Sequence, residues 1–82
     1  MMKMHTNEVY ITDEYITLAQ LLKKEDIVSS GGQVKMFLSE TSIFLNGNPV
    51  NQRGKKLYPE DVIEIDNTGV YVIRQLNSNK GE

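Results

Sequence analysis

The sequence predicts an α+β fold in which two short helices pack on a small, bent antiparallel sheet. Three observations predict it. Apolar residues recur at i, i+3, i+4 twice in the first half, as Leu18, Leu21, Leu22 and as Val34, Phe37, Leu38. From Ile43 onward the apolar period becomes two. Asn46-Gly47 then supplies a hairpin signal, because both residue types tolerate positive φ.

The elements follow in order. Residues 8–16 read as short extended segments, with Val9, Ile11, Tyr15 and Ile16 available for burial. The first helix is placed at 18–24. Thr17 and Gln20 form a T-x-x-Q capping box at its start, which satisfies amide donors of the first turn. The second helix is placed at 31–40, with Ser30 and Gln33 repeating the box and with Phe37 and Leu38 expected in the core. The link between them is short, which favours neighbouring helices, and Ile27 and Val28 can pack between them. Strands are expected near 43–46, 61–65 and 70–75. Between them, Tyr58-Pro59-Glu60 and Asp66-Asn67-Thr68-Gly69 read as turns.

A chain of 82 residues fits one domain. We place it at residues 8–76, with a loose N-terminus at 1–7 and a loose tail at 77–82. Charged residues make up 24% and hydrophobic ones 39%, a balance that favours a folded core over disorder. With no cysteine, a disulfide scaffold, a thiolate metal site and a cysteine nucleophile are excluded. No apolar run approaches the roughly 20 residues that span a bilayer, and no signal peptide is visible. A cytoplasmic monomer with no membrane and no small-molecule substrate is expected.

Net charge is −2, yet its distribution is uneven. Residues 17–57 carry a net +3, and the remainder carries −5. A basic face on an acidic body is the reading this asymmetry favours.

Catalysis finds little support. His5, the single histidine, lies in the expected loose N-terminus, so no Ser/His/Asp set can be assembled. Asp61, Glu64 and Asp66 are close in sequence but read as a turn and a solvated strand face rather than a metal site. No catalytic residue, cofactor or metal ligand is assigned. Binding chemistry is better represented. Ser30, Gly31, Gly32 and Gln33 open the second helix with bare backbone, where amides could face a phosphate. The same glycines could instead permit close packing against the first helix. Lys35 lies one turn further on. Arg53-Gly54-Lys55-Lys56 places three cations in four residues, and Lys23 and Lys24 add two more at the end of the first helix. Phosphates would relieve the mutual repulsion and release counterions. Tyr58 and Phe44 could stack on a base, but phosphate and shape contacts dominate this reading.

The stretch from Ile16 to Ile65 resembles the S-four-type RNA-binding domain, or αL motif. The pieces are Ser29-Ser30-Gly31-Gly32-Gln33-Val34-Lys35, Ile43-Phe44-Leu45-Asn46-Gly47, Arg53-Gly54-Lys55-Lys56-Leu57 and Glu60-Asp61-Val62-Ile63-Glu64-Ile65. Their order and spacing look most like the small stand-alone bacterial YaaA-type branch. Three positions depart from the family pattern: Gly31 stands for a common arginine, and Thr41 and Glu60 stand for glycines. The resemblance implies structured RNA as the partner, ribosomal RNA or a ribosomal subunit, and by analogy a role in ribosome assembly. Its site would comprise Lys23, Lys24, Ser30, Gly31, Gly32, Gln33, Lys35, Arg53, Lys55 and Lys56. Two other readings compete. One is a protein-interaction module that keeps the fold. The other is a ubiquitin-like sulfur carrier, for which the required C-terminal Gly-Gly is replaced by Asn79-Lys80-Gly81-Glu82.

Overall fold

The computed structural model describes residues 6–76, which run β1 (Thr6–Ile11), β2 (Ile16–Thr17), α1 (Leu18–Lys24), α2 (Gly31–Glu40), β3 (Ile43–Leu45), β4 (Asn48–Val50), β5 (Lys56–Leu57), β6 (Val62–Ile65) and β7 (Gly69–Gln75). The expected loose stretches 1–5 and 77–82 lie outside the described residues. Thr6 and Asn7, also expected to be loose, belong to β1.

Five strands form one sheet in the order β1-β7-β6-β3-β4, and β2 pairs with β5 in a separate two-stranded ribbon. The α+β class and both helices stand as expected. The sheet, however, is mixed rather than wholly antiparallel, because β1 runs parallel to β7, from Thr6 opposite Val70 to Ile11 opposite Gln75. Alternation in Val9 and Ile11 fixes which face is buried but not the direction of the partner strand. β3 and β4 close through Asn46 at φ 51° and Gly47 at φ 89°, the positive pair that a two-residue hairpin demands.

One apolar cluster unites the layers. Val9, Ile43, Ile63, Ile65 and Ile73 from the sheet meet Leu18, Leu21 and Leu22 of α1, Val34 and Leu38 of α2, and Leu57 of β5. Phe37 departs from expectation: it is only partly buried and packs against the cluster from outside. The buried stripe of α2 runs through Val34 and Leu38, one turn apart, which leaves Phe37 on the flank beside Ile27 and Met36.

The helix ends are built differently. At α1 the capping box forms as read: Thr17 Oγ1 accepts from the Gln20 amide at 3.2 Å, and Gln20 Oε1 accepts from the Thr17 amide at 2.9 Å. At α2 it does not form. Ser30 makes no side-chain capping bond. Gln33 Oε1 accepts instead from the amide of Ser29 at 2.7 Å and from its hydroxyl at 2.8 Å. Ser29 offers two donors to the long side chain where Ser30 would offer one. The end of α1 is a Schellman closure, with the Ile27 amide donating to Leu22 O at 2.8 Å and the Asp26 amide to Lys23 O at 3.1 Å. It forces Asp26 to φ 61°, a position usually held by glycine.

The turn before β6 holds a second such residue, Glu60 at φ 81°. The family pattern has glycine here, and the backbone shows why. The Glu60 amide donates to Ile73 O at 2.7 Å, which fixes the strained conformation. The carboxylate is held by Arg74 at 3.0 Å, and Arg74 also meets Glu8 at 3.4 Å. Glu8 in turn accepts from the Tyr10 hydroxyl at 2.7 Å. That hydrogen bond holds the Glu8 carboxyl below its ordinary value; slight desolvation opposes this and the Arg74 charge assists it.

Four stability outcomes are expected. Leu21→Ala, at a site with no exposure, should cost about 2–5 kcal/mol. Phe37→Ala should lower Tm visibly less, and equal losses in a thermal melt would put Phe37 back in the core. Asp26→Gly should stabilise by about 0.5–1 kcal/mol, because relief of the left-handed strain exceeds the added unfolded-state entropy; a lower denaturation midpoint would contradict this. A carboxyl lowered in the folded state contributes stability above its unfolded pKa and loses it as pH falls through the folded value. Glu8→Gln should therefore lower Tm at pH 6, and the gap from the parent should close in acid. A gap constant down to pH 2 would show that Glu8 does not carry this linkage.

Candidate nucleic-acid interface

The polar stretch 51–56 is a loop by composition, yet its backbone is fixed. Two amides of the first turn of α1 have no partner within the helix. Leu18 N–H donates to Lys55 O at 2.9 Å, and Ala19 N–H donates to Arg53 O at 2.9 Å. Lys55 N–H closes a turn onto Gln52 O at 3.0 Å, and Lys56 and Leu57 then pair with β2. Leu57 is fully buried, which seats the end of the loop in the core. The loop carbonyls therefore point at the helix, while Arg53, Lys55 and Lys56 are exposed.

Arg53 crosses to the start of α2. Its guanidinium lies 3.4 Å from Gly31 O, and a Cβ added to Gly31 would sit 3.6 Å from it. A groove of about 350 Å³ beside it is lined by Lys35, Leu38, Ser39, Asn51 and Arg53. Two cations and two polar side chains thus share one concavity. Gly32 faces open space, with nothing within 4 Å of an added Cβ, and Gly31 has only ordinary contact. Neither glycine is needed for close packing against α1, so the packing explanation fails. What the glycines leave is exposed backbone at a helix start whose N-cap side chain makes no bond.

The other expected residues are dispersed. Lys24 lines a different groove, of about 400 Å³, with Tyr10, Asp13, Tyr15 and Gln20. Lys23 is exposed in the last turn of α1, and Ser30 is exposed at the α2 N-cap. Gln33 is committed to Ser29 and borders the apolar groove of Met36 and Phe37. Lys56 turns away from the Arg53 groove and lies over the Tyr15 ring, 4.9 Å from its centroid. The sequence reading missed Ser39 and Asn51, which carry no signal of their own, and it took Tyr15 only for a core residue.

Two family motifs meet behind the loop. Asn46 Nδ2 donates to Asp61 Oδ1 at 3.0 Å, and Asn46 Oδ1 accepts from the Val62 amide at 3.0 Å. Asp61 Oδ2 accepts from the Tyr58 amide at 2.8 Å. The hairpin, the turn and the end of the basic loop are thereby locked together. Among the described residues, no group of three or more His, Asp or Glu side chains could hold a metal, and no helix is long and apolar enough to cross a membrane.

The comparison with known proteins agrees with this architecture. The sequence profile described as S4 domain matches residues 9–74. The chain is also 46% identical over 67 residues to the Probable ribosome maturation protein RlbA of Bacillus subtilis (strain 168), an alignment that covers 82% of this chain and 94% of that protein. On both counts the chain belongs to the S4 domain family.

Proposed function

We infer that this protein is a non-catalytic RNA-binding protein that holds structured ribosomal RNA during ribosome maturation. The observation that carries this reading is the junction of the 51–56 loop with the start of α2. Arg53 reaches Gly31, and Lys35 lines the same groove. Phosphates of a folded RNA would meet the guanidinium, the ammonium and the bare amides of the helix start together. The Ser39 hydroxyl and the Asn51 amide can donate to neighbouring phosphate or ribose oxygens. The family supports RNA as the class of partner. The relative, named for ribosome maturation, supports the ribosomal setting. The family assignment also leaves the sulfur-carrier reading without support.

The mechanism is positioning by charge. The loop is fixed before binding, so little ordering cost accompanies association. Arg53 suits a bidentate phosphate contact, while Lys35 and Lys55 act as point charges.

The test is titration of purified ribosomal subunits and ribosomal RNA. The parent should bind with a log–log salt slope of roughly −2 to −4, as about three to four phosphate contacts imply. Substituting Lys35, Arg53 and Lys55 together by Glu should abolish binding and leave Tm within a few degrees, since exposed charges contribute little to stability. Undiminished binding by the triple variant, or no salt dependence in the parent, would move the site elsewhere. No binding by the parent would favour a protein-interaction module.

A further inference from the structure

The β2–β5 ribbon puts two tyrosines and a lysine on one outer face. Its register pairs Ile16 with Leu57 and Thr17 with Lys56. One step beyond the ribbon, Tyr15 stands opposite Tyr58. Ile16 and Leu57 are buried, so the alternate positions Lys56 and Tyr58 turn outward. The Tyr15 and Tyr58 ring centroids are 5.8 Å apart at an interplanar angle of 52°. Lys56 Nζ lies over Tyr15, 4.9 Å from its centroid. Tyr58 is 47% exposed, although its backbone is fixed by the Asp61 carboxylate and by the Asp61 amide, which donates to Tyr58 O at 2.9 Å. A large exposed aromatic ring on a rigid backbone, braced by a second ring that in turn lies under a cation, is not what a solvated turn requires.

We propose that Tyr58, backed by Tyr15 and Lys56, is a stacking platform for one unpaired nucleobase of the RNA held in the Arg53 groove. The inference rests on the RNA-binding reading and adds to it a preference for RNA that carries an unpaired nucleotide. Tyr58 follows Arg53 by five residues, so their backbones are no more than about 18 Å apart. That is within a few nucleotides of the phosphates at Arg53. The ligand class follows from the local charge. Asp13 and Glu14 precede Tyr15 and disfavour a phosphate at the rings. An uncharged base is accepted on its π face, and its own phosphate can lie away from the rings, toward Lys55. Stacking tolerates any base, so the preference is for an unpaired nucleotide and not for a sequence.

The test uses two short RNA hairpins whose strands are joined by a non-nucleotide linker in place of a loop, one fully paired and one carrying a single bulged 2-aminopurine, with the protein at low salt. The parent should bind the bulged hairpin more tightly and quench the 2-aminopurine fluorescence. Tyr58→Leu keeps an apolar side chain but removes the ring. It should weaken binding to the bulged hairpin by about 5- to 100-fold and abolish quenching, with affinity for the paired hairpin unchanged. Tyr58→Phe should behave as the parent does, since the ring and not the hydroxyl carries the effect. Affinity for the paired hairpin also reports that each variant is folded. Equal loss on both hairpins, or no loss on either, would overturn the platform while leaving the Arg53 groove intact. If the parent binds neither hairpin at any salt concentration, both the platform and the RNA reading fall.

Discussion

The structure depends on a pair of backbone hydrogen bonds between the basic loop and the first turn of α1. A helix start leaves amides that must find acceptors. In α1 the side chain of Thr17 serves one, and the carbonyls of Arg53 and Lys55 serve two others. The helix is thereby capped by a segment more than thirty residues away. The loop, which has little apolar content of its own, gains a rigid seat. The arrangement also has an electrostatic result. Carbonyl oxygens at 53 and 55 are consumed inside, so their partial negative charge is withdrawn from the surface where Arg53 and Lys55 are displayed. The mutual repulsion of the exposed cations is opposed by this anchorage.

Much of the fold was legible because it rests on local rules. The stripes in α1 and α2, the Thr17–Gln20 box and the Asn46-Gly47 turn each need only a few neighbouring residues to be stated. What was not legible depends on partners distant in the chain. The direction of β1 is invisible to alternation, since parallel and antiparallel pairing bury the same Val9 and Ile11. Phe37 fits the α2 stripe by spacing, and only the lateral extent of the core leaves it on the rim. At α2 the box is replaced at both ends: the Gln33 amide donates to the Ser30 carbonyl rather than to its hydroxyl, and the Gln33 side chain accepts from Ser29.

The candidate site divides in the same way. Arg53, Gly31 and Lys35 were visible as a charge run and a glycine-opened helix, and the fold brings Arg53 against Gly31 and into one groove with Lys35. Lys24 and Lys56 belonged to the same charge count but face elsewhere. Charge counted along a chain does not say which side of a loop each cation takes. The aromatic ring under Lys56 comes from Tyr15, forty-one residues earlier. Asn46 and Asp61, read as separate turn residues, act as one unit that holds Tyr58. Glu60 shows the reverse case. Its place in the family pattern marked a departure, and the backbone gives the departure a physical meaning, a left-handed residue held by Ile73 and tethered through Arg74.

The parallel pairing of β1 with β7 has a consequence for biosynthesis. β1 precedes every other described strand in the chain, yet it has no neighbour in the sheet until β7 exists, some sixty-four residues later. Helices α1 and α2 can form early, but the α1 start stays incompletely capped until the basic loop has been made. Closure of such long-range contacts is slow relative to local structure. A nascent chain would therefore carry an open β1 edge, with Val9 and Ile11 uncovered, until β7 has been made. Residues that tie β1 to β7 from the sheet's outer face, Glu8 and Arg74 among them, act only when these two strands meet.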